Sequence, residues 1–344
     1  MRHPRFLSLP TPLFLFGLSE EYIVRWFRED DLPAYVEGVN KALYDEYDEE
    51  VFDWKHRRTP FSLGFTSVAV VEHLPTGTPV AFNPFMPLEV RVGSEVFTAL
   101  QGVDGFVDEA HRRRGLFQRT ITFMAEEMKG RSPELLFSFN LAEAAGAAHK
   151  ADSELVYDVD KCLLGRDGFA KLTRGGVELE KIDTEAYHHL YLEWAEASGL
   201  IHFHRTMPYL KWRVDENPVR EVTPYRLVYG GVPRGYVVVD EVTEGGVNQL
   251  TIDDYTPGLL EAKLPEVIAC LREVHRDADV VEVNAVHGSR LEEAASRLGF
   301  TVAPWLTVIM KALNNTVQVG GEVYRGELQL SDTRNWHLTP SDIY

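Results

Sequence analysis

Cysteine is scarce in this chain of 344 residues: Cys162 and Cys270 are the only two, with no paired spacing and no neighbouring histidine cluster. That excludes a disulfide framework and a structural zinc site, and it makes a reducing cytoplasm the expected location. Long apolar runs are lacking too. The apolar stretch within residues 1–18 follows Arg2 and Arg5, but it is short, broken by Pro10 and Pro12, and has no small-residue cleavage site. It reads as an N-terminal extension that does not enter a membrane. Basic charge is in deficit, 35 Lys and Arg against 53 Asp and Glu, for a formal charge of −18. Such a surface repels nucleic-acid phosphates except at a local basic patch. Neither a three-glycine dinucleotide fingerprint nor a Gly-Lys-Ser/Thr phosphate loop occurs.

What is present begins with size. A chain of this length, 44% hydrophobic, is expected to fold as about two domains. Its most informative stretch is residues 102–117, where the apolar Val103, Phe106 and Val107 lead into Arg112-Arg113-Arg114-Gly115-Leu116-Phe117. Leu116, Phe117, Ile121, Phe123, Met124 and Met128 then recur at roughly helical spacing, so the basic turn opens a helix. The free N–H groups of a helix start, beside arginines, suit a phosphate.

This loop resembles the Arg-x-x-Gly-x-small pyrophosphate loop of the GNAT N-acetyltransferase superfamily. The resemblance implies an α/β (α+β) fold with a mixed, mostly antiparallel twisted sheet flanked by helices, and acetyl-CoA as acyl donor. In that family the strand before the loop splays from its neighbour to receive the pantetheine arm, and the loop amides hold the pyrophosphate. Carried onto this chain, cofactor binding falls to Phe106, Val107, Arg112, Arg113, Arg114, Gly115, Leu116 and Phe117, with Asn140 ending the adjacent strand. The family usually has Gly or Ala where Phe117 stands, and a bulky residue there would narrow the pocket.

The chain also contains a worn repeat. Phe52, Trp54, Lys55 and Pro60 keep the spacing of Leu210, Trp212, Arg213 and Pro218, and in both places two strands separated by a proline-containing turn follow. Further on, the strand ending in Asn140 answers one ending in Asn284. These correspondences divide the chain into an N-terminal extension (1–20), a GNAT domain with the acyl-CoA loop (21–172), a degenerate GNAT-like domain (173–313) and a C-terminal hairpin and tail (314–344). The second copy has Asp253 and Asp254 near the place of the basic loop, where two carboxylates would repel a pyrophosphate. The hairpin is expected over 316–330 with Gly320 and Gly321 at its turn, followed by a polar tail anchored by Trp336.

Acyl transfer to an amine needs a base, a polarised carbonyl and an acid for the leaving thiolate. Asp104 is the candidate base, because a carboxylate in an apolar strand, if buried and unpaired, is pushed toward a base's working range. The acid of the family is usually a Tyr that in this register is Ala147 or Ala148, which leaves His149 as the candidate substitute. Trp54, Trp212 and Arg213 are candidate acceptor-binding residues, since Trp stacks on sugars and Arg grips carboxylates, with a core role for the repeated Trp as the alternative. No metal is expected, because His188, His189, His202 and His204 lack ligand spacing. The activity this implies is N-acetylation of a small-molecule amine of the amino sugar or amino acid type, with no nucleic acid, no membrane, and homodimerisation left open. Alternatives are a non-catalytic coenzyme A sensor and an aminoacyl transferase of the peptidoglycan cross-linking type.

Overall fold

In the computed structural model, residues 21–43, 46–141 and 154–343 are described. One sheet of fourteen strands runs through them, and its order shows how the two copies are joined. The first half contributes β1 (Tyr22–Trp26), β2 (Val68–His73), β3 (Thr78–Val92), β4 (Glu95–Gly102), the short β5 (Phe106–Val107), β6 (Pro133–Asn140) and β7 (Glu154–Gly165). The second contributes β8 (Val177–Lys181), β9 (His202–Phe203), β10 (Val222–Tyr229), β11 (Val232–Glu244), β12 (Val247–Tyr255), β13 (Val280–Val286) and β14 (Thr301–Ala312). The strands lie in the order β1-β2-β3-β4-β6-β14-β7-β13-β12-β11-β10-β8, with β5 and β9 both on β3.

That order reads the same from either end once the halves are exchanged. Each half lays down four strands antiparallel and then a fifth in parallel, β6 beside β4 and β13 beside β12. The last strand of each half crosses over: β14 pairs with β6, and β7 pairs with β13 as well as with β14. The halves therefore share one continuous sheet.

Local sequence explains the elements that position the site. Pro33 stands in the first turn of helix Leu32–Ala42, where a missing N–H costs nothing. Just before it, the Asp31 carboxylate accepts the Arg28 N–H and a bidentate pair of bonds from Arg25 at 2.7 and 2.8 Å. The repeated Trp signature folds alike in both copies, as one α-helical turn (Glu49–Phe52, Met207–Leu210) running into a π-helical segment (Asp53–Arg57, Lys211–Asp215). Helix Leu116–Glu127 covers one face of the first half through Ile121 and Met124. Helices Leu259–Val274 and Arg290–Arg297 cover the corresponding face of the second.

The opposite faces of both halves meet in one core that contains Trp54, Val103, Phe137, Tyr187, Trp212, Tyr236 and Val308. Beyond the sheet, Val317–Val319 and Glu322–Arg325 form the expected hairpin across Gly320 and Gly321, and Leu328–Gln329 adds a third strand. The expected polar tail is not a surface feature. Thr339, Ser341 and Asp342 are buried, because each finds partners in the core: Arg205, Arg213 and Gln101 all donate to this segment.

Candidate active site

β4 runs beside β6 in parallel register as far as Gly102, opposite Ser138. There the paths divide. The chain turns through Val103, Asp104 and Gly105, with Asp104 at a φ of 46°, and resumes as β5, which pairs only with β3 at Phe82 and Ala81. β6 meanwhile continues to Asn140, held on its other edge by Thr307 of β14. A wedge thus opens between Phe106 and Val107 on one side and Phe139 and Asn140 on the other, with unpaired backbone facing into it. Phe106 turns its ring away from the wedge, under helix Leu32–Ala42, where a Cβ on Gly38 would lie 2.2 Å from it.

The basic loop lies directly beyond β5. Asp108 accepts the Ala110 N–H and caps a 3-10 turn, Glu109–His111, and Arg112 Nε returns to the Val107 carbonyl at 3.1 Å. Arg113 and Gly115 adopt left-handed conformations with φ of 63° and 72°. The N–H groups of Arg114, Gly115, Leu116 and Phe117 donate to no group among the described residues, the first helical bond being Arg119 N–H to the Gly115 carbonyl. Arg112, Arg113 and Arg114 are exposed, and nothing lies within 4 Å of where a Gly115 Cβ would be. Free amides at the positive end of a helix dipole, three guanidinium groups and open space fit the diphosphate of a nucleotide-bearing cofactor.

Phe117 does not narrow the mouth of this loop. Its ring lies against Gly105, where an added Cβ would approach it to 2.7 Å and Asn83 Oδ1 to 2.9 Å. Gly105 is the space that admits Phe117, and the sequence carries both.

Asp104 is buried, but the premise of an unpaired carboxylate within a strand is corrected: it lies in the turn between β4 and β5, and Lys55 Nζ, itself buried, stands 2.5 Å from its Oδ2. Burial drives the His56 imidazole down to about 3, against the opposing attraction of Asp104, so it is neutral at ordinary pH. Its Nε2 is enclosed without a hydrogen-bond partner. Burial, helped by Asp104, raises the Tyr47 hydroxyl far above its usual range. Sequence reasoning missed His56 and Tyr47 as neighbours of Asp104. The signal available was that His56 directly follows the repeated Trp54-Lys55 pair.

Asn140 ends β6 with its amide turned back to Ser138, bonding the carbonyl at 3.1 Å and the hydroxyl at 2.8 Å. His149, Ala147 and Ala148 lie outside the described residues. Trp54, Trp212 and Arg213 are 3, 2 and 4% exposed, and the two indoles stack on each other. The two indoles are core residues, as in the alternative weighed for the repeated Trp, and Arg213 is buried beside them, so none of the three presents a face to an acceptor.

The second half departs from this arrangement. β12 and β13 also separate at a bulge, after Ile252 opposite Val283, but helix Leu259–Val274 follows almost at once and no basic loop intervenes. The place of Asp104 is held by Asp254, bound by Arg205 and the Tyr187 hydroxyl, with Arg205 also 3.1 Å from Asp342. Among the described residues, Asp160, His287 and Glu292 bring ligand-type atoms within 4.8 Å of one another, and His287 Nδ1 is bonded to Asp160 Oδ2 at 2.7 Å. No described helix is long and apolar enough to cross a membrane.

No family model and no curated protein matches the chain. Solved structures do. A GCN5-related N-acetyltransferase from Anabaena variabilis aligns with a TM-score of 0.64 at 12% identity, over 85% of this chain and 73% of its own. A conserved protein of unknown function from Enterococcus faecalis, described as a probable N-acyltransferase, gives 0.61 at 9% over 85% and 73%. A GCN5-related N-acetyltransferase from Kribbella flavida gives 0.59 at 10% over 86% and 71%. The chain has the GNAT fold: a large, mostly antiparallel sheet flanked by helices, opened by a wedge between β5 and β6.

Proposed function

We propose that the first half binds acetyl-CoA and transfers its acyl group to the amine of a small molecule of the amino sugar or amino acid type. The observation that carries this is the wedge between β5 and β6 opening onto the free amides of residues 114–117 and three exposed arginines. Arg112, Arg113, Arg114 and the helix start would hold the pyrophosphate, and the unpaired edge of β5 would receive the pantetheine amides. The cofactor supplies an activated thioester. On the opposite face of the sheet, Asp104 and Lys55 form a buried ion pair with neutral His56 beside it, and these residues would orient the amine. The loop is missing from the second half, which leaves a single donor site and gives residues 173–313 a shaping role.

Calorimetric titration of acetyl-CoA into wild type, Arg114→Glu and Gly115→Asp tests the donor site. The expected result is micromolar binding to wild type that both variants lose; absence of binding to wild type overturns the reading. The engagement of Asp104 with Lys55 favours, as a second reading, a coenzyme A sensor without turnover. Release of free thiol across a panel of amines decides between the two.

A further inference from the structure

On the second half's sheet, the face turned away from helix Leu259–Val274 gives Tyr236 and Val238 to the shared core and carries a polar patch beside them. Val239, Ile252 and Val283 all point into the helix-covered core. Side chains alternate along a strand, so Asp240, Asp253 and Asn284 project from the other face of β11, β12 and β13. Ile252 pairs with Val283 and with Val239, which makes the three residues neighbours on adjacent strands. They are 2, 1 and 4% exposed, and Asp240 Oδ1, Asp253 Oδ1 and Asn284 Oδ1 accept no hydrogen bond. Burying such acceptors unsatisfied is costly.

We propose that this face binds a primary ammonium group, held by the side-chain oxygens of Asp240, Asp253 and Asn284. An ammonium has three donors and no acceptor; Asp240 Oδ1 and Asn284 Oδ1 lack donors here, and Asp253 Oδ1 has Arg213 Nη2 at 3.7 Å, beyond hydrogen-bond reach. Charge agrees. Arg220 stands 3.4 Å from Asp240, Arg213 3.7 Å from Asp253 and Lys161 3.3 Å from Glu282, which balances these carboxylates. The adjoining Asp254 and Asp342 share the guanidinium of Arg205, and His337 Nε2 stands 3.8 Å from Asp254. A monovalent cation meets less repulsion from Arg213 and Arg220 than a divalent metal would. Burial is the main force that pushes both Asp240 and Asp253 upward, with repulsion from Asp253 added at the first and from Asp254 at the second. Arg220 and Lys161, with side chains 44 and 34% exposed, mark the rim.

An amine held here stays protonated, so it is anchored and not acylated. The site is separate from the donor wedge and does not depend on the coenzyme reading. The probe is methylammonium chloride, with tetramethylammonium chloride as a control of equal charge without N–H donors. Saturable binding of methylammonium alone, weakened about tenfold or more in Asp253→Asn and in Asn284→Ala, is expected from the loss of a hydrogen bond to a charged group. Should those variants fold poorly, crystals of the wild type grown with methylammonium give the second measurement: its nitrogen should lie within hydrogen-bond reach of the three oxygens. Equal response to both salts, or water alone at the three oxygens, overturns the proposal.

Discussion

The indoles of Trp54 and Trp212 stack with centroids 4.7 Å apart and 19° between their planes, and each donates its Nε1–H to the other's backbone carbonyl, at 2.9 and 2.8 Å. Exchanging the two halves exchanges these bonds for one another, which is the relation expected of residues on either side of a two-fold axis. The palindromic strand order states the same symmetry at the level of the sheet.

The pair should therefore behave as one unit. Trp54→Phe keeps an aromatic ring but removes the Nε1–H that the Trp212 carbonyl accepts, a loss of about 1–3 kcal/mol. Trp54→Phe/Trp212→Phe should cost less than the sum of the two single changes, because both act on the same contact. Urea unfolding followed by circular dichroism measures each term; strict additivity would count against a shared unit.

Gly105 and Phe117 form a second coupled pair, at the base of the wedge. Gly105→Ala places a methyl group against the Phe117 ring and Asn83, an overpacking cost of about 1–3 kcal/mol. Phe117→Leu in the same chain should return part of that cost. Thermal melts of the two single variants and the double variant test this, and the proposed donor site predicts weaker acetyl-CoA binding in Gly105→Ala.

Lys55 and Asp104 differ sharply in what their removal should do. Lys55→Met leaves a buried carboxylate without its cation, which costs about 3–5 kcal/mol. Lys55→Met/Asp104→Leu removes both charges and should recover most of that loss. Asp104→Asn retains the shape of the site, and turnover is expected to fall with coenzyme binding retained; unchanged turnover would remove Asp104 from the mechanism.

Residues 102–117 showed the basic turn and the helix because those signals are local, a Gly after three Arg and helical spacing, whereas the strand read there is broken by the turn at Val103, Asp104 and Gly105. The repeat was legible for the same reason, as both copies of the Trp signature fold into the same α-to-π turn. Partnerships across the chain were not. Nothing near Asp104 in sequence announces Lys55, and nothing near residues 339–342 announces Arg205, because pairing at such separations is decided by which strands lie side by side. The crossing of β7 and β14 was hidden likewise, since each strand is apolar enough for either neighbour. Trp54 read more readily as core than as an acceptor contact, and its burial is what separates the two.

Acid should loosen the fold through its buried imidazoles, His56 of the first half among them. Burial is the main force that lowers His202 to about 3 and His204 to about 4, each from an ordinary value of 6.5. His202 lies among Tyr191, Trp194, Arg91, Arg205 and His337, and its Nε2 shares the Tyr191 hydroxyl with His204 Nδ1. Both rings stay neutral in the folded chain, while in the unfolded chain they take up protons below pH 6.5. Their contribution is therefore intact above pH 6.5 and is lost progressively as pH falls toward 4. Asp254 works in the next window: Arg205 and His337 overcome its burial and hold it well below its usual value, so its stabilising effect is intact above about pH 4 and is lost under more acid conditions. The melting temperature should accordingly decline from pH 7 to pH 4.5, before carboxylates dominate. His202→Gln, which cannot be protonated, should give a shallower decline over that range with its own lower starting point. A wild-type profile that is flat between pH 7 and 4.5 would mean that these imidazoles are not enclosed as described.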